Sequence, residues 1–188
     1  MASATPGKIT RLLARARQGD KAAEQQLLEL LQPELDKIAS RILSREYHGS
    51  SLETHDLVSE LYLKLRLDAT DFNDRVHFKS YAARLMHHCL IDRARRRIRR
   101  GPRENLEDIQ NGLVDEGSQR VTARAYELAR LGELVNELNR LDARAAQVVV
   151  FKQGGMTNEE IAEALGVSLV TVKRTWKSAR AFLLSKLG

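Results

Sequence analysis

The sequence predicts an all-α protein built as two small helical domains, an N-terminal helical bundle and a C-terminal helix-turn-helix, joined by an irregular acidic linker. Three observations predict it. Aromatic residues are only 5% of the 188, Leu, Ala, Arg and Glu dominate, and β-branched runs are scarce, which favours helix over sheet. Apolar residues recur at three- and four-residue spacing through most of the chain. Residues 101–122 break that periodicity with few apolar side chains, three glycines and a run of acids. The boundaries read from these patterns are 8–100 for the first domain, 101–122 for the linker and 123–188 for the second.

In the first domain, Leu12, Leu13 and Ala16, then Leu27, Leu28, Leu31, Leu35 and Ile38, mark two amphipathic helices between Ile9 and Ala39. Gly19-Asp20 interrupts them, and Asp20 is placed to cap a helix that starts at Lys21 or Ala22. Pro33 is expected to bend or split that helix. After a Gly/Ser-rich break at His48–Ser51, Leu57, Leu61 and Leu65, with Val58 and Tyr62, mark a third helix whose wetter side would carry Asp56, Glu60 and Lys64. A polar stretch from Asp68 to Asp74 precedes a long helix over about 76–98, with Phe78, Tyr81, Ala82, Leu85, Cys89 and Ile91 as its buried stripe. Gly101-Pro102 stops it.

The second domain opens on Leu128, Leu131, Leu134, Val135, Leu138 and Leu141, followed by Ala145, Val148, Val149 and Phe151. Residues 157–180, TNEEIAEALGVSLVTVKRTWKSAR, then lay out a short helix, a tight turn and a second helix. Ala162 is small where the helices would cross, Gly166 supplies a permissive turn, and Ile161, Leu165, Val167 and Val172 fill the shared core. Thr157 with Glu160 reads as a capping box, and Ser168 as the cap of the second helix. That helix offers Ser168, Thr171, Lys173, Arg174 and Lys177 with no acidic residue from 168 onward, the pattern of a helix that enters a major groove. Two packed helices with a merely solvated basic face are the plainer alternative.

Charge narrows the partners. The net charge of +6 and pI near 9.7 call for an acidic partner. The basicity is local, since Arg93, Arg95, Arg96, Arg97, Arg99 and Arg100 fall together before Glu104, Glu107, Asp108, Asp115 and Glu116. Within 78–100 aromatic and basic groups share one helix, as in proteins that bind unpaired DNA. A solvated helix end with Phe78 and Tyr81 at core spacing explains the same stretch. His87 and His88 are adjacent, so they point to different sides and suit polar or nucleic-acid contacts better than one metal. Cys89 is the only cysteine, which excludes an intrachain disulfide. With no long apolar run, the chain is expected to be soluble and cytoplasmic, with no membrane partner. Asp56 and Glu60 share a helix face without a third carboxylate, so a nuclease or recombinase is disfavoured, and no catalytic group, metal, cofactor or small-molecule substrate is expected.

Taken in order, a basic helical unit, a linker and a C-terminal helix-turn-helix resemble the extracytoplasmic-function (ECF) subfamily of the bacterial sigma-70 family of RNA polymerase sigma factors. The stretch Asp56-Leu-Val-Ser-Glu-Leu-Tyr-Leu-Lys-Leu65 is similar to the family's core-polymerase-binding helix, which implies that Asp56, Leu57, Val58, Glu60 and Leu61 bind core polymerase. Phe78–Arg97 is similar to the segment that melts and reads the minus-ten element. The resemblance implies Tyr81, Arg84, His88, Arg93, Arg95, Arg96 and Arg97 on that side, with Asp92 structural. Ser168, Thr171, Lys173, Arg174 and Lys177 would face the minus-thirty-five element, and the linker would run toward the RNA exit path.

Tyr81 and His88 depart from the tryptophan and asparagine of many members. Glu53-Thr54-His55-Asp56 is less acidic than the corresponding run in many members, which makes Thr54 a candidate phosphosite that would supply the charge. Implied partners are core RNA polymerase and promoter DNA, with an anti-sigma factor or a Ser/Thr kinase as candidate regulators. A helix-turn-helix regulator that acts without polymerase is the alternative.

Overall fold

The structure, a computed structural model, describes residues 6–46, 51–65, 75–100 and 116–187. Among them are eight helices and no strand: α1 Pro6–Arg17, α2 Lys21–Glu46, α3 Ser51–Lys64, α4 Arg75–Arg100, α5 Glu116–Leu141, α6 Ala143–Gln153, α7 Asn158–Leu165 and α8 Leu169–Leu187.

The Gly19-Asp20 turn separates α1 from α2 as the sequence predicts. Asp20 Oδ1 accepts from the Ala23 amide at 3.0 Å, and its other oxygen accepts from Arg15 at 2.7 Å. The Ala23 amide and the Arg15 side chain hold the Asp20 carboxyl below its usual range. Pro33 neither splits nor ends α2, which runs unbroken to Glu46. A proline deprives an interior turn of one hydrogen bond, and the buried row Leu27, Leu31, Leu35, Ile38 and Ile42 outweighs that loss at roughly 1.5–3 kcal/mol per buried aliphatic side chain. α1 lies along α2, and α2 packs on α3 and α4. Leu57, Val58 and Leu61 of α3 and Phe78, Ala82, Met86, Cys89 and Leu90 of α4 complete the first half of the core. The Tyr62 hydroxyl donates to Gln32 Oε1, fixing α3 against α2.

In the second half, α5 begins at Glu116, so residues 116–122, expected in the linker, are helical. Gly117-Ser118 reads as a break locally, but one glycine costs about 1 kcal/mol in a helix, less than a long docked helix recovers. Residues 101–115 lie outside the described residues. Asp142 caps α6 through the Ala145 amide at 3.0 Å, and Ala145, Ala146, Val148, Val149, Val150 and Phe151 are all buried. Leu141, expected among the apolar stripe, is 69% exposed at the end of α5, since the stripe of α5 has turned outward one residue before the Asp142 cap.

The two halves share one apolar cluster, from Ile9 in α1 to Leu183 in α8. The most extensive helix contact among the described residues is that of α4 with α5, and α4 also touches α6 and α7. Among the described residues, no helix is long and apolar enough to cross a membrane.

Candidate nucleic-acid and polymerase interface

The helix-turn-helix forms as its residues dictate. Thr157 Oγ1 accepts from the Glu160 amide at 3.2 Å while Glu160 Oε2 accepts from the Thr157 amide at 2.8 Å, which is a complete capping box. Gly166 closes α7 at φ 62°, where its amide meets the carbonyls of the last turn. That left-handed conformation is strained for any residue with a Cβ. Ile161, Ala162 and Val172 are buried between the helices, and Leu165 and Val167 are half-buried against them. Ser168 caps α8 by accepting from the Thr171 amide at 3.1 Å.

Val172, Ala179 and Leu183 bind α8 to the core. The opposite stripe is open: Ser168, Lys173, Arg174 and Lys177 are exposed and Thr171 is half-buried. Val170, which the sequence reading passed over, is 75% exposed on the same stripe. Its i, i+3, i+4 spacing to Lys173 and Arg174 is the signal that finds it.

On α3, Asp56 is exposed, whereas Leu57, Val58 and Leu61 are buried and hold the helix to its own core. Glu60 accepts from Arg96 at 2.8 Å and Arg93 at 3.4 Å, and lies 3.6 Å from Lys64. Burial raises its carboxyl, but these cations outweigh burial and leave it below the usual range. Lys64 also reaches Asp92 Oδ2 at 3.3 Å, so Asp92 ties α4 to α3, in keeping with a structural role. The outward face of α3 presents Asp56, Ser59 and Leu63, the last 88% exposed.

Along α4 the expected DNA-side residues diverge. Arg97 and His88 are exposed and Arg95 is half-buried, while Arg93 and Arg96 are engaged by Glu60. Tyr81 is half-buried against the core. Arg84 lies over the Phe151 ring at 5.7 Å, and burial lowers its pKa although Tyr81 acts the other way. His87 is buried, its ring inclined at 72° to the neighbouring ring of His88. Burial, reinforced by His88 and opposed by Gln153, brings its pKa down to about 4, so His87 is a neutral core residue. Among the described residues no three His, Cys, Asp or Glu groups are gathered in a way that could hold a metal.

A capped helix-turn-helix with an all-basic second helix, carried on a helical bundle with a basic, aromatic-bearing α4, defines a DNA-binding transcription factor. The family model described as ECF sigma factor matches residues 6–188, nearly the whole chain and both halves of the fold. The chain belongs to the ECF sigma factor family, and its function is that of an RNA polymerase sigma factor, a transcription initiation factor that binds core polymerase and promoter DNA. A comparison with curated proteins finds no match.

Proposed function

We propose that this sigma factor divides its work among three surfaces. The outward face of α3, with Asp56 and Leu63 as contacts and Glu60 holding the helix to α4, docks on core polymerase; Leu57, Val58 and Leu61 support it from behind. The α4 residues Tyr81, Arg84, His88, Arg93, Arg95, Arg96 and Arg97 take the unpaired minus-ten strand through stacking and phosphate contacts. The α8 residues Ser168, Thr171, Lys173, Arg174 and Lys177 hold the minus-thirty-five element in the major groove. In this reading the units 8–100 and 123–188 act as two domains in the cytoplasm, no bond is made or broken by the chain, and an anti-sigma factor acts by covering one of the three surfaces.

The observation that carries the reading is the double-capped α7–Gly166–α8 unit, whose exposed stripe bears three cations and no acid. Thr54 lies in the first turns of α3, where a helix end favours added negative charge, which supports phosphorylation by a Ser/Thr kinase as a route to stronger core binding. Equal core affinity of Thr54→Ala and Thr54→Glu removes that part of the reading.

Titration of labelled full-length protein with core polymerase tests the whole. Tight binding that an Asp56→Arg, Leu63→Arg double variant loses is expected. Undiminished binding by that variant overturns the assignment of α3. DNA binding by the chain without any core binding favours a regulator that is not a polymerase subunit.

A further inference from the structure

Arg84, His88, Ile91 and Arg95 follow one another at four- and three-residue spacing along α4, so they share one face over about 16 Å of helix. That face lines a cleft of about 250 Å³, whose other wall is built from Asn136 and Asn139 of α5 and Gln147 of α6. Ile91, Val135, Ala146 and Val150 form its floor, each at most 7% exposed. The floor closes because α5 approaches α4 at a glycine: a Cβ on Gly132 would lie 2.8 Å from Ile91 Cδ1.

An apolar floor under a few converging polar groups is the usual make-up of a small-ligand site. The cleft lies just under the about 300–1,000 Å³ of most such sites, which calls for a small occupant.

The polar groups say what that occupant carries. Arg84 Nε is buried without a hydrogen-bond partner, while the guanidinium lies over the Phe151 ring at 5.7 Å. A buried donor left unmet is costly, and an anionic oxygen meets it best. His88 stands one turn from Arg84 on the same face, so the two side chains can share one phosphate. Asp92 is the acid on the α4 wall, and Lys64 holds it at 3.3 Å. Among the described residues the opposite wall carries no acid, so nothing there repels an anion. Its amides both donate and accept, which suits the edge of a purine ring.

We propose that this cleft is a binding site for a small phosphate ester of the purine mononucleotide class. The phosphate sits between Arg84 and His88, the ring lies on the apolar floor, and the amides of Asn136, Asn139 and Gln147 bond its edge. The site goes beyond the three-surface reading. One consequence rests on that reading: a bound phosphate occupies Arg84 and His88 and so competes with the minus-ten strand.

Calorimetric titration of the full chain with adenosine monophosphate, inorganic phosphate and adenosine tests it. The monophosphate is expected to bind at least tenfold more tightly than either part, because it alone meets both walls. Arg84→Ala and, separately, an Asn136→Ala, Gln147→Ala double variant should each weaken it about tenfold, the effect of one or two lost hydrogen bonds. Asn136 is exposed and Gln147 half-buried, so the double variant keeps the core intact. Should Arg84→Ala lose helical circular dichroism, the double variant decides alone.

No binding at millimolar monophosphate overturns the site, as does equal binding by phosphate or adenosine alone, or undiminished binding by the double variant. Promoter melting by holoenzyme carrying Arg84→Ala separates this site from the minus-ten assignment. Normal melting with lost nucleotide binding keeps the cleft and removes Arg84 from the strand contacts. Lost melting, in a protein whose wild type binds no monophosphate, keeps the contacts and removes the cleft.

Discussion

Arg96 donates to Glu60 at 2.8 Å, and through this bond the arginine-rich end of α4 is tethered to α3, the helix proposed to face polymerase. Glu60 is the shared anion of Arg93, Arg96 and Lys64. Removing it leaves three cations crowded together without their shared anion. Glu60→Ala is expected to lower the stability of the isolated protein by about 1–3 kcal/mol, read as a lower midpoint in urea. Asp56→Ala, at an exposed position, should stay within about 0.5 kcal/mol of wild type. Equal effects of the two would show that the Glu60 cluster contributes nothing to the fold.

His87 makes stability depend on pH in a defined window. Its pKa falls from 6.5 to about 4 on folding, so between those values the unfolded chain binds the extra proton. Stability from this group is complete above pH 6.5 and declines as pH falls toward 4, by up to about 1.4 kcal/mol per pH unit. Below the ordinary carboxylate range the lowered carboxyls of Glu60 and Glu160 add a second loss as they protonate. His87→Gln should flatten the upper part of the curve and leave the lower part, as measured by urea unfolding at a series of pH values. An unchanged slope between pH 6.5 and 4 would mean that His87 is solvated in the folded protein.

Gly166 sits at φ 62° with open space around its α-carbon. Gly166→Ala therefore costs only the left-handed backbone, about 1 kcal/mol, and Gly166→Asn less. Thr157→Val removes the side-chain acceptor at the start of α7 and costs a similar amount. The positions are separated by the whole of α7, so the double variant should show close to the sum. Thermal denaturation checks all three.

Local chemistry made the helices and the capped turn legible in the sequence. The Asp20 cap, the Thr157–Glu160 box and the Gly166 turn each depend on residues within a few positions of one another, and each forms as expected. Periodicity gives a helix its buried face but does not say what covers it. Ile91 reads as a stripe residue, yet its partner is Gly132, a glycine that within a helix looks like a weak point. Nothing in the local pattern marks a partner for Lys79, but Glu160, 81 positions away, is 2.6 Å from it. The same limit explains α3: acids were expected on the outward face, Glu60 turned toward Arg96, and Leu63 took the open position. An apolar residue on a polar face is visible in sequence only once the buried row of Leu57, Val58 and Leu61 is fixed.

In the proposed docking, the open stripe of α8 makes two kinds of DNA contact. Lys173, Arg174 and Lys177 carry charge, and each phosphate neutralised contributes about one unit to the slope of log affinity against log salt. Val170 carries none, and an exposed branched aliphatic group on a groove-facing stripe can meet a thymine methyl. With holoenzyme and promoter duplex, Lys177→Ala is expected to weaken binding on all sequences and to reduce the salt slope by about 1. Val170→Ala should leave the slope untouched and relax preference at a single minus-thirty-five position, read by competition among duplexes that differ there. A changed slope for Val170→Ala, or an unchanged one for Lys177→Ala, would place the groove on a different face of α8.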